Sequence, residues 1–253
     1  MIKGFYAAAS AMVVNANRQN TLSHNIANLE TPGFKQILNS VTDFKDTAVL
    51  YSPGNLLGDS TLDYIGNIGL GSTLGASTTD FSQGGLETTG NPYDVAIQGD
   101  GFFKVRTSAG DRYTRDGRFL RDAENNLVTT DGYAVLDANN QPITLAAEGD
   151  FTVSNDGTIY MDGTEVAQLG LSKFKDPATE LTRAEGNLFA GPAQSTAEGA
   201  VSVVQNTLEM SNASPTQLMT QLVEVARSYE AAAKMVQNQD ELLGQAISTL
   251  RVG

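Results

Sequence analysis

The last forty residues constrain this chain most. After Ser214-Pro215-Thr216-Gln217, where Ser214 can cap, Pro215 suits a first helical turn and Gln217 completes a capping box, no further Pro appears and Gly244 is the only Gly before Arg251. Through that run Leu218, Leu222, Val225, Tyr229, Ala232, Val236, Gln239, Leu243, Ala246 and Leu250 recur at alternating spacings of three and four. That is an apolar seam of period 3.5, sustained for more than four heptads with one polar member, Gln239. At about 1.5 Å per residue the helix is about 55 Å long, more than a globular domain of this size needs.

The other end repeats the pattern. In residues 2–28, Ile2, Phe5, Ala9, Met12, Ala16, Gln19, Ser23 and Ile26 form a second 3.5 seam, flanked by Tyr6, Val13 and Leu22. Gln19 and Ser23 are expected to be buried there, with hydrogen-bonding partners. The segment is rich in amides (Asn15, Asn17, Gln19, Asn20, Asn25, Asn28), which can bind neighbours without burying a charge. A secretory signal peptide is the rival reading of Lys3 and the apolar run 5–14, but its basic region is a single Lys and the period continues past any cleavage site. Two long seamed helices pack most simply on each other, and Gln19, Ser23 and Gln239 can set their register. The flanking Tyr6, Val13, Met219, Ala226 and Ile247 exceed what one pair can bury, which implies further copies of the chain.

Charge divides the chain in the same places. Of the net −13, residues 1–30 contribute +1 and residues 211–253 contribute −1, so all of it lies in residues 31–210. Neutral ends suggest contact with protein and an acidic middle contact with water. The acidity argues against nucleic acid and against insertion into or adhesion to anionic membranes. With no Cys and one His, disulfides and thiolate metal sites are excluded. His24 is far in sequence from any nucleophile motif.

Residues 31–83 read as irregular, beginning with the turn Thr31-Pro32-Gly33-Phe34. Residues 84–205 read as all-β: short runs such as Asp94–Gln98, Gly101–Arg106, Arg112–Arg115, Asn126–Thr129, Tyr133–Leu136, Phe151–Val153 and Thr158–Met161 are punctuated by Asp-Gly pairs at Asp116, Asp131, Asp156 and Asp162. The expected fold is therefore α+β, with long N- and C-terminal helices packed as a coiled-coil-like pair and a central all-β domain. The expected boundaries are 1–34 with 211–253 for the helical domain, 35–83 for an irregular connection and 84–210 for the β domain.

Asp156, Asp162 and Glu165 fit no calcium-loop spacing, so turns explain them. Arg106, Arg112, Arg115, Arg118 and Arg121 alternate with Asp111, Asp116 and Asp122, the pattern of a solvated hairpin face. No two carboxylates stand out as a glycosidase pair. The sequence thus singles out no catalytic, cofactor-binding or metal-binding residue.

Several of these stretches resemble one family. Asn25-Ile26-Ala27-Asn28-Leu29-Glu30-Thr31-Pro32-Gly33-Phe34-Lys35 resembles the signature that follows the first helix of flagellar rod and hook proteins. Asp94–Phe103, Tyr113–Gly117, Asn126–Thr129, Ser211-Asn212 and Arg227–Glu230 resemble its later motifs, in order. The resemblance implies a structural axial subunit of the bacterial flagellar basal body, not an enzyme. It implies that Ile2, Phe5, Ala9, Met12, Ala16 and Ile26, with Leu218, Leu222, Val225, Tyr229, Val236, Leu243 and Leu250, line an inner layer of helices. It assigns Asn25, Asn28, Thr31, Pro32, Gly33 and Phe34 to a segment that joins neighbouring subunits. The expected partners are the chain itself in a helical tube, other rod and hook subunits, and the flagellar export apparatus, which handles such chains without a cleaved signal. The region 43–84 is like the distal rod members in its length alone and carries none of the family motifs, so the distal rod is favoured, with the proximal rod as the alternative. A secreted carbohydrate-active enzyme or an adhesin is the reading from another class.

Overall fold

The computed structural model describes residues 2–44, 46–51, 63–69, 71–145, 149–192 and 201–251. The chain opens with helix α1, Ile2–Ala27, followed by strands β1 (Ile37–Asp43), β2 (Thr47–Tyr51), β3 (Asp63–Ile68) and β4 (Ser72–Thr79). Next come β5 (Leu86–Thr88), β6 (Val95–Gln98), β7 (Phe102–Thr107), β8 (Gly110–Thr114), β9 (Phe119–Arg121), β10 (Leu127–Thr129) and β11 (Ala134–Val135). Strands β12 (Phe151–Val153), β13 (Thr158–Met161), β14 (Thr164–Gln168) and β15 (Leu171–Ser172) lead to a short helix α2, Pro177–Glu180. The chain closes with β16 (Thr182–Arg183), β17 (Leu188–Ala190), β18 (Ser202–Gln205), β19 (Thr207–Glu209) and the long helix α3, Pro215–Arg251. The architecture is α+β: a helix at each end and a mostly β centre.

These elements form two units. One holds α1 to His24, residues 37–78 and α3 from Thr216; the other holds Asn25–Gln36 and Thr79–Pro215. In the first, β1 pairs with β4 and β2 with β3, making a two-stranded antiparallel arm. The arm lies along α1. Asn39 Nδ2 donates to Thr21 Oγ1 at 2.6 Å, and the Ser72 amide donates to Ser10 Oγ at 3.3 Å. Gly71 lies so close to Ser10 that a Cβ there would strike its hydroxyl.

The arm corrects the irregular reading of 35–83. No residue of β1 or β4 is fully buried, because neither face of a two-stranded ribbon is closed off, so hydrophobicity does not alternate. The motif residues 25–36 also group with the β unit rather than with the helix they follow.

The β unit contains an eight-stranded sheet, in the order β16-β17-β8-β7-β11-β10-β9 with β15 paired to β7. Strands β12-β13-β14 form a smaller sheet, and β18-β6 and β19-β5 are pairs. Strand β7 is buried on both faces. Phe103 and Val105 join Phe119, Leu127, Ile159 and Val203 in the main core, whereas Phe102 joins Tyr113, Phe174, Leu181 and Phe189 in a second cluster. Asp162-Gly163 links β13 to β14 with φ of +48° and +76°, the two positive values that a tight type I′ hairpin requires.

Candidate assembly surface and the loop that roots it

Helix α3 buries the face its spacing marks out. Leu218, Val225 and Ala232 are buried, and Leu222, Tyr229, Val236, Gln239, Leu243 and Ala246 are half-buried. Apolar residues off this face stay in solvent: Met219, Val223, Met235, Leu242 and Ile247 are 49–65% exposed. In α1, Phe5, Ala9, Met12, Ala16 and Ile26 are half-buried, while Tyr6 and Val13 are 64% and 61% exposed. Ile2 and Leu250 belong to the helices, but their side chains lie outside the described residues.

The α1 seam is not followed to its end. Gln19 and Ser23, expected to be buried, are exposed, and Ala8, Val14 and Leu22 are the most covered apolar residues. The physical reason is the arm: it meets Ala7, Ser10 and Thr21, on a second face of the same helix. At the start of the helix, the side chain of Gln239 lies beside Gly4, with Nε2 3.6 Å from where a Cβ would stand.

The motif after α1 folds as a series of tight turns. The Asn28 and Leu29 amides donate to the carbonyls of Asn25 and Ile26, and the Thr31 amide and hydroxyl donate to the carbonyl and Oδ1 of Asn28. The Phe34 amide closes on the Thr31 carbonyl at 3.2 Å, with Gly33 at φ +68°, as a type II turn demands. Gly33 is fixed twice over. A Cβ there would run into the backbone of Arg115 and Asp116, and its amide donates to the Glu209 carbonyl at 2.6 Å. Asn187 Nδ2 donates to the Pro32 carbonyl, and Arg183 Nη1 to that of Lys35. The Arg183 guanidinium also sits 4.6 Å over the Phe34 ring, which is 2% exposed. Asn25, Pro32, Gly33 and Phe34 are buried; Asn28 and Thr31 are half-buried.

Beneath this loop is a buried charge cluster. Lys35 Nζ donates to Glu209 Oε1 at 2.6 Å and to the Ser82 carbonyl at 2.6 Å; Arg115 Nη1 donates to Glu209 Oε2 at 2.9 Å. All three side chains are at most 2% exposed. Burial pushes the Lys35 ammonium below its ordinary pKa and the Arg115 charge adds to that, while attraction to Glu209 and to Asp80 pulls it back up. Arg115 also donates to the Gly99 carbonyl and lies over the Phe102 ring. The solvated-face reading of the arginines is therefore corrected at Arg115, which directly follows β8, two residues on from the buried Tyr113. Asp156 and Asp162 accept from the amides of Thr158 and Asp150, as turn residues do. Among the described residues no group of His, Asp and Glu could hold a metal ion, and no helix is long and apolar enough to cross a membrane.

Three stretches of the chain match known families. Residues 5–35 match the flagella basal body rod protein family, residues 96–161 the flagellar hook protein FlgE/F/G D1 domain, and residues 204–249 the flagellar basal body rod FlgEFG protein C-terminal domain. Among curated proteins, the flagellar basal-body rod protein FlgF of Caulobacter vibrioides is 34% identical, covering 95% of this chain and 98% of its own length. This chain belongs to the flagellar basal-body rod protein family. The rod proteins FlgG of Borreliella burgdorferi and of Bacillus subtilis are also similar, at 34% and 30% identity over 97% and 99% of this chain and 98% and 100% of their own lengths. Members of this family are structural parts of the basal body rather than enzymes, and the secreted-enzyme reading falls with that finding. The family matches also frame the geometry: the rod protein match ends at Lys35, and the C-terminal match begins at Val204 and spans Glu209. Sequence reasoning quoted Lys35 only within the motif and passed over Glu209, because the two are 174 positions apart.

Proposed function

We propose that this chain is an axial subunit of the flagellar rod. It polymerises helically, with its own copies and with other rod and hook subunits, into a tube that conducts exported subunits and transmits torque. Helices α1 and α3 pair in a coiled-coil-like manner and form the inner layer with their neighbours; the β unit forms the outer layer. The chain reaches this place through the flagellar export apparatus, without a cleaved signal.

One observation carries the reading. Seven large apolar side chains on the two helices, Tyr6, Val13, Met219, Val223, Met235, Leu242 and Ile247, remain about half or more exposed in the single chain. Such a surface is costly in water and is stabilised by covering it. The near-neutral ends fit this, since joining them carries little charge repulsion or charge desolvation.

The test uses the absence of cysteine from the sequence. Single cysteines at Tyr6 and Met235, oxidised in isolated basal bodies, should yield disulfide-linked dimers and ladders containing this chain. A chain that stays monomeric from several such positions contradicts the proposal. Within the rod we favour the distal segment over the proximal one, supported by the length of the arm between β1 and β4. Copy number in isolated basal bodies separates the two: many copies for the distal rod, few for the proximal.

A further inference from the structure

Glu209 gathers three separate stretches of the β unit onto one residue. Its carboxylate accepts from Lys35 Nζ, the Gly84 amide and Arg115 Nη1, and its carbonyl accepts from the Gly33 amide. A second layer of bonds lies alongside. Asn212 Oδ1 accepts from the Gln36 amide, while Asn212 Nδ2 donates to the carbonyls of Asp80 and Ser82; the Asp80 amide in turn donates to the Gln36 carbonyl. These residues flank three of the places where the chain leaves the β unit: after Gln36, before Thr79 and after Pro215.

We infer that Lys35, Arg115 and Glu209, with Asn212, form a clamp that fixes the roots of the arm and of helix α3 within the β unit before any neighbouring subunit binds. A buried ion cluster is a poor source of net stability, since desolvation offsets much of its attraction, but it is demanding about geometry. Here it holds three exit segments in one arrangement. A helix that grows from a fixed root loses less conformational freedom when it is finally ordered by its neighbours. The clamp itself lies within the β unit and is tested there; the benefit to helix ordering rests on the rod reading.

The cluster holds two cations against one anion, and that imbalance supplies a test by sign. Removing Lys35 leaves Arg115 and Glu209 as a matched pair. Removing the Glu209 charge leaves two buried cations facing each other. On the full chain, Lys35→Met should speed amide exchange at Gly33–Gln36 by tenfold or more while β7 and β13 keep their protection. Glu209→Gln should lower the thermal midpoint of the β unit well beyond the shift for Lys35→Met. The double variant Lys35→Met/Glu209→Gln, with one cation fewer, should recover part of the loss seen in Glu209→Gln alone, and it keeps the test usable where Glu209→Gln does not fold. Losses that simply add in the double variant, or exchange at Gly33–Gln36 unchanged by Lys35→Met, would overturn the clamp.

Discussion

Met235 and Leu242 stand one heptad apart on α3 and are 64% and 49% exposed. If they are surfaces awaiting a neighbouring subunit, replacing both with Asp should leave the isolated chain almost unchanged and stop assembly. Neither side chain is buried in the chain itself, so the stability change of the monomer should stay within about 0.5 kcal/mol. In the assembled state each covers roughly 80 Å² of apolar surface, which at about 25 cal/mol per Å² is about 2 kcal/mol per side chain. Losing about 4 kcal/mol from one contact weakens it about a thousandfold. A carboxylate left in an apolar contact adds to that loss. The assay is complementation of a strain lacking this chain: the double variant is expected to be exported, to show a wild-type thermal transition when purified, and to yield neither swimming nor a completed rod. Normal swimming with intact basal bodies would refute the reasoning, because a thousandfold weaker subunit contact cannot sustain a rod.

Val225, 1% exposed, is the opposite case: Val225→Asp should disorder the helical unit in the isolated chain as well as block assembly, with the thermal transition of the β unit unmoved; a helical circular dichroism signal equal to wild type would contradict this. Gly33→Ala combines a positive φ with a backbone collision and should cost about 3 kcal/mol or more, read as a lower urea midpoint for the β unit; a change within error would show that the turn is not held as described. Asp80 gives a pH signature: burial raises its pKa, but the Ser82 amide, the Gln36 side chain and the Lys35 charge together outweigh burial and hold it below the usual carboxylate value. Its ionised form therefore stabilises the fold above about pH 4, and that contribution is lost as pH falls through the lowered folded pKa. The stability advantage over Asp80→Asn should accordingly shrink on acidification; an advantage that grows toward acid would reverse the sign.

What could be read from sequence follows from how local each signal is. The α3 seam was legible because one face of one helix carries it from Leu218 to Ala246. The Asp-Gly turns at Gly132, Gly157 and Gly163 were legible because positive φ favours few residue types, and the Thr31–Phe34 turn because Pro and Gly fix it. The arm was not, since Asn39 and Ser72 stand where it meets α1, positions at which a sheet with a buried face would carry apolar side chains. The second half of the α1 seam misled for a related reason: the helix has a second neighbour, the arm, which no spacing within 2–28 announces. The buried triad was out of reach altogether. Its members come from three distant stretches, and Arg115 looked like one more base in an alternating run of charges. A charge count per segment locates acidity; it does not show which single charge is enclosed.

The central claim is that this chain is a structural piece of the rod. Electron microscopy of cell envelopes from a strain lacking it tests that most directly. The account predicts basal bodies arrested with an incomplete rod and bearing no hook or filament, restored when the gene is supplied. Complete basal bodies carrying hooks and filaments in the absence of this chain would contradict it.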